Sequence, residues 1–208
     1  MARNKEIEKE KKINNGLKII NNFCITISTV NGSGSATANN TILKAIFKMG
    51  IPTVGRNIFP SNIQGMPTWY SIRVNQNSYL GRVEKDNILV AMNQETIESD
   101  LENLAPGGVL LYDESLSFPK VSSDITVYCV PINLLLEKAK SPIYLRVYLA
   151  NMVYVGALAF LLGINLAKIE GVLKQHFKGN KKAIDPNMQV INTAFGWAKE
   201  HFEKKVLY

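Results

Sequence analysis

At 208 residues, 46% hydrophobic and 20% charged, the chain can bury one sizeable core without disulfide or metal staples. Its 24 basic and 17 acidic residues leave a charge of +7, which favours anionic partners, but the basic residues are not interleaved with aromatics as a nucleic-acid surface requires. Cys24 and Cys129 form no CxxC pair and each lies in an apolar run, and the N-terminus lacks the apolar centre of a signal peptide. Core thiols, no bound metal and a reducing cytoplasm are therefore expected.

The opening segment alternates Lys5, Lys9, Lys11 and Lys12 with Glu6, Glu8 and Glu10, a solvated extension over 1–17 ahead of a single domain over 18–208. Phe23 to Val30 is short, β-branched and bounded by Asn and Gly, and predicts a buried strand. Gly32-Ser33-Gly34-Ser35 follows as a turn. Ala38 to Met49 then places Ile42, Leu43, Ala45, Ile46 and Met49 on one side of a helix that Gly50 stops.

Strand, glycine loop and helix are the parts of an anion-binding turn, because glycines let the backbone approach closely and a helix start offers free N–H groups. The third glycine of a dinucleotide fingerprint would fall at Thr37. The segment 51–59 has no acidic residue for a ribose and offers Arg56, which prefers a phosphate. The plainer alternative is that Gly32 and Gly34 only turn the chain.

Next comes a loop with two prolines and a glycine, Phe59 to Pro67, in which the large apolar Ile63 and Met66 stand beside the polar Ser61, Asn62 and Gln64. That mixture suits a binding surface, against the alternative that Trp69 and Tyr70 are ordinary core. In the strand over 69–74, Trp69, Ser71 and Arg73 share one face and Tyr70, Ile72 and Val74 the other. Asn75 to Ser78 is a turn, 87–92 a strand, and 94–104 an acidic helix that Pro106-Gly107-Gly108 closes. Strands over 109–112 and 125–130 precede three helices at about 143–162, 165–177 and 187–204. Val147 to Leu162 is apolar except for Asn151 but short of the ~20 residues of a membrane span, so a buried helix is expected. The order predicts a layered, Rossmann-like α/β domain with a parallel or mixed central sheet and a helical C-terminal third.

Catalytic constellations are scarce. His176 and His201 have no partner at a useful spacing, the carboxylates 95, 98, 100 and 102 belong to the acidic helix, where a solvated role is expected over paired acid–base work, and no G-x-S-x-G elbow occurs. Three classes stay open: a subunit of a larger enzyme, a stand-alone Rossmann-like nucleotide-dependent oxidoreductase, and a basic nucleic-acid module.

Gly32-Ser33-Gly34 before a helix, Phe59-Pro60-Ser61-Asn62-Ile63-Gln64-Gly65, Val90-Ala91-Met92-Asn93-Gln94-Glu95, Pro106-Gly107-Gly108-Val109-Leu110-Leu111-Tyr112-Asp113 and the late run Asn151 to Leu158 occur in this order. Together they resemble the gamma domain of the 2-oxoacid:ferredoxin oxidoreductases, either as a separate subunit or as the N-terminal part of a fused alpha chain. Where that family's loop reads GxGGQG, this chain has Ser35-Ala36-Thr37 at the end. The resemblance implies a docking and coenzyme A-side module of a complex that oxidatively decarboxylates pyruvate, 2-oxoglutarate or a related acid. Thiamine diphosphate and iron–sulfur clusters would sit on partner alpha- and beta-type chains, with ferredoxin as acceptor. Gly32, Ser33, Gly34 and Ser35 would meet the coenzyme A pyrophosphate and Arg56 its 3′-phosphate, with Ser61, Asn62 and Gln64 beside them. No nucleic acid and no membrane partner is implied.

Overall fold

The computed structural model describes residues 21–60, 63–117 and 121–204. The expected extension over 1–17 and the candidate residues Ser61 and Asn62 lie outside the described residues. Six strands form one sheet: β1 Asn22–Val30, β2 Thr53–Ile58, β3 Pro67–Asn75, β4 Asp86–Ala91, β5 Leu104–Asp113 and β6 Thr126–Val130. Their order is β2-β3-β1-β4-β5-β6. The pairs β1–β4, β4–β5 and β5–β6 are parallel, and β3 runs antiparallel to both β1 and β2. The sheet is thus mixed: β3 returns between β1 and β2 where a doubly wound fold would have a parallel neighbour.

The helices are α1 Ser35–Lys48, α2 Ile97–Glu102, α3 Ile132–Lys138, α4 Arg146–Leu162, α5 Leu166–His176 and α6 Lys181–His201. Several boundaries differ from those in the sequence pattern, each for a local reason. α1 starts at Ser35 rather than Ala38, because Gly34 adopts φ 80° at the cap and completes the turn at once. α2 is shorter than 94–104, because the Asn93 side chain accepts from the Glu95 N–H and holds 93–95 in a turn. Pro106-Gly107-Gly108 does not end a helix; it lies inside β5, where the register shifts between Asp86 and Ile88 and Gly107 takes φ 72°. α3 was not foreseen. α6 begins at Lys181 rather than 187, with the Asn180 side chain accepting from the Lys182 N–H and Pro186 carried inside the helix.

The alternation in the strands assigns the two sheet faces. Ile25 and Ile27 of β1, Tyr70 and Ile72 of β3, Ile88 and Val90 of β4 and Leu111 of β5 are buried in the main core. α1, α3, α4, α5 and α6 contribute its other side. α4 is buried almost all round, from Asn151 through Ala159. Its Gly156 is where α6 crosses: a Cβ there would run into the Ile191 carbonyl oxygen and come within 2.8 Å of the Ala194 Cβ. Ile143–Leu162 is long and apolar enough to cross a membrane by composition, with 61% of the window buried inside the fold. Tyr154 within it is fully buried and donates to Asn39 Oδ1 of α1 at 2.8 Å.

On the opposite face a smaller cluster of Leu89, Ala91, Ile97, Leu104 and Leu110 covers β4 and β5 under α2. The β2–β3–β1 half of that face is left as a hollow. At β2 the two faces are told apart by Gly55, whose position toward α1 is taken by the Tyr70 hydroxyl, so Val54, Arg56 and Ile58 point the other way.

Candidate functional site

Two loops meet at the carboxyl end of β1. The Asn31 N–H donates to the Met66 carbonyl at 2.8 Å, the Gly65 N–H donates to the Asn31 carbonyl at 2.9 Å, and Asn31 Nδ2 donates to the Ile63 carbonyl at 3.2 Å. The glycine turn is thereby fastened to the 63–66 segment. Gly32 at φ 87° and Gly34 at φ 80° both occupy the left-handed region that disfavours side chains. A Cβ on Gly32 would stand 2.9 Å from Gln64 Cγ, and one on Gly34 2.9 Å from Tyr148 Cδ1. Gln64 and Tyr148 therefore flank the turn.

The polar groups of the turn are disposed unequally. Thr29 Oγ1 donates to Ser35 Oγ at 3.0 Å, which turns the Ser35 hydroxyl back onto β1. Asn151 Nδ2 donates to the Ser33 carbonyl at 2.7 Å. Ser33 Oγ is buried and has no hydrogen-bond partner. No side chain caps α1, and its first turn has no acidic residue. Its positive dipole end and first N–H groups are left for an acceptor from elsewhere.

The rim around the turn is apolar and exposed. Ile63 and Met66 lie on one side, and Ile143, Tyr144, Val147 and Tyr148 on the other, at the start of α4. An exposed apolar grouping of this kind is a candidate contact surface. Tyr148 and Asn151 were not among the residues singled out as a site. Asn151 did carry a signal, as the polar exception in an apolar helix, and its bond to Ser33 explains it.

Of the candidate residues that are described, the structure brings Gly32, Ser33, Gly34, Ser35 and Gln64 together. It does not bring Arg56 to them. Arg56 pairs with Ser71 in mid-strand, level with the centre of the sheet, and lines the hollow on the face away from α1. His176 is exposed, its Nε2 3.5 Å from Thr37 Oγ1, and His201 stacks on Trp197. Burial pushes the Cys24 thiol up to about 12, against a weak lowering from Ser71 Oγ at 3.5 Å. Burial likewise raises the Tyr154 phenol and keeps it a neutral donor. Among the described residues no group of three or more His, Cys, Asp or Glu side chains could hold a metal ion.

The fold recurs among known proteins. The 2-oxoacid:ferredoxin oxidoreductase 2 subunit alpha of Aeropyrum pernix is 20% identical over 82% of this chain, which spans 33% of that subunit. A 2-oxoglutarate:ferredoxin oxidoreductase from Magnetococcus marinus, solved with 2-oxoglutarate, coenzyme A and succinyl-CoA bound, has the same fold. It superposes with a TM-score of 0.78 at 21% identity, over 88% of this chain and 32% of that one. The pyruvate oxidoreductase subunit PORC of Thermotoga maritima superposes with a TM-score of 0.69 at 19% identity, over 85% of this chain and 96% of that one. The pyruvate ferredoxin/flavodoxin oxidoreductase family description matches residues 24–197, from the third residue of β1 into α6, and takes in the other five strands and the glycine turn. The chain belongs to the pyruvate ferredoxin/flavodoxin oxidoreductase family.

Proposed function

We propose that this chain is the gamma-type module of a 2-oxoacid:ferredoxin oxidoreductase and that its glycine turn holds the anionic part of coenzyme A. The observation that carries this is the uncapped start of α1 beneath two fastened loops, with a buried Ser33 hydroxyl left without a partner. Gly32, Ser33, Gly34 and Ser35 would hold the pyrophosphate against the helix start, where the dipole and free N–H groups favour an anion. Gln64 and Tyr148 would border it. The coenzyme A bound in the Magnetococcus enzyme supports the choice of ligand.

The chemistry itself needs groups this chain does not offer. Thiamine diphosphate supplies carbanion stabilisation to the 2-oxoacid when bound, and iron–sulfur clusters pass electrons to ferredoxin; both belong on partner alpha- and beta-type chains in the cytoplasm. Cys24 and Cys129 are the sole cysteines and sit apart on different strands, so they do not form a cluster site. The module's own tasks are to dock and to position coenzyme A. Its apolar rim of Ile63, Met66 and Tyr144 is the docking surface.

Calorimetric titration of the chain with coenzyme A, and with a neutral pantetheine as control, tests the first half. Saturable binding that pantetheine lacks is expected; equal heats from the two would remove the anion site. Co-elution with a thiamine-diphosphate-binding partner tests the second half. Ile63→Asp should abolish that co-elution while the chain stays folded, because an unpaired charge at an interface is costly to bury. Turnover of a 2-oxoacid by the chain alone would overturn the subunit reading.

A further inference from the structure

We propose that the hollow on the opposite face of the sheet is a second ligand site, separate from the glycine turn, and that its ligand is a nucleoside phosphate. The hollow follows from side-chain size. Small residues, Cys24, Thr26 and Ser71, face outward in the middle of β1 and β3, while Trp69, Arg73 and Arg56 stand around them. The resulting cavity is about 800 Å³, within the range typical of small-molecule sites.

Its walls are built rather than left loose. Trp69 Nε1 donates to Asp100 Oδ1 at 2.7 Å, and Asp100 Oδ2 accepts from Thr96 Oγ1 at 2.8 Å, which fixes the indole. The Arg73 guanidinium donates to the Phe23 carbonyl at 3.1 Å, the Val74 carbonyl at 2.6 Å and Asn22 Oδ1 at 2.6 Å, yet its buried Nε has no acceptor. Arg56 and Arg82 line the cavity, and neither belongs to an ion pair among the described residues.

The charges select the ligand class. Three arginines, Arg56, Arg73 and Arg82, share the cavity with Glu84, Asp86 and Asp100. A neutral apolar molecule would leave the arginines unanswered, and a bare polyanion would face the carboxylates. A molecule with one phosphate, a flat ring and hydroxyl or amino donors answers both signs of charge. The phosphate takes Arg56 and Arg82, the ring packs on Trp69 and Ile58, and the donors reach Asp86, Thr26 and Ser71. Asp100 is already occupied by Trp69 and Thr96.

The test uses the full chain carrying Trp197→Phe, so that Trp69 is its single indole reporter. Adenosine monophosphate and guanosine monophosphate are titrated against tryptophan fluorescence, with adenosine and inorganic phosphate as the separated halves. Saturable quenching is expected from at least one nucleotide, with each half weaker by about tenfold or more. Arg56→Ala should weaken that binding by about 10- to 100-fold, as should Arg82→Ala, the loss expected for a charge-assisted hydrogen bond. Both side chains are on exposed residues, so a cooperative melt should persist. Gly34→Val should leave the binding unchanged, which separates this site from the coenzyme A turn. Absence of saturation by either nucleotide at millimolar concentrations would overturn the proposal. So would unchanged affinity in both arginine variants, or loss of binding in Gly34→Val.

Discussion

Replacing Gly34 by Ala or Val separates the turn's structural work from its ligand. The residue holds φ 80°, and an L side chain in the left-handed region costs about 1–2 kcal/mol. The added Cβ also meets Tyr148 Cδ1 at 2.9 Å, but Tyr148 is 58% exposed and can turn outward, so this contact adds little. A loss of about 1–2 kcal/mol in urea denaturation is expected, which for a chain of this size lowers Tm by about 2–8 °C. The new methyl group also stands at the mouth of the turn, where an anion would approach the start of α1. An anion at a helix start gains up to about 2 kcal/mol, so coenzyme A affinity should fall by up to about 30-fold. Calorimetry on the folded variant measures it. A Gly34→Ala chain with the expected loss of stability but parental affinity for coenzyme A would refute the anion argument and leave the glycines as a turn. Arg56→Ala is the companion control, and it should bind coenzyme A as the parent does because Arg56 lies on the other face.

Gly156→Val should be the most destabilising single change, about 3 kcal/mol or more by denaturant unfolding, because the α4–α6 crossing has no room for a side chain beside the Ile191 carbonyl. A parental midpoint would mean that the helices can separate freely. Tyr154→Phe should cost about 1–3 kcal/mol, since it leaves the buried Asn39 Oδ1 without its donor while the ring still fills its space. Cys24 should resist a thiol reagent at pH 8 in the folded chain and react on unfolding, whereas rapid labelling of Cys24 would contradict its burial. Its folded value of about 12 lies above the ordinary thiol value of 9.0, so the folded chain holds the proton more tightly. That contribution to stability is complete below pH 9.0 and is lost as pH rises toward about 12, which a Cys24→Ser chain should not show.

The motifs that carry the family resemblance lie where local chemistry governs structure. Phe23 to Val30 is a strand because its β-branched run is buried, and Gly32 and Gly34 turn the chain because few other residues hold those angles. The facing of Trp69, Ser71 and Arg73 followed from the period of a strand alone. Boundaries were less legible. The acidic helix shrank because an Asn93 turn competes with it, and Pro106-Gly107-Gly108 became part of a strand because β4 offers a ladder to pair with. Pro186 does not stop α6, since packing against α4 outweighs one missing hydrogen bond.

Sequence by itself determined the α/β class, the glycine turn and the two-faced strands, because propensity, turn angles and side-chain period act over a few neighbouring residues. Only the tertiary structure decided what stands beside what. Tyr148 and Asn151 reach the turn from α4, more than a hundred positions away in the chain, and no local pattern encodes that contact. Arg56 is close to the turn in sequence yet stands on the opposite face, because β3 is inserted between β1 and β2 and Gly55 gives its inward place to Tyr70. Strand order is a choice among long-range pairings that bury similar surface, and it is settled by the packing of the whole sheet.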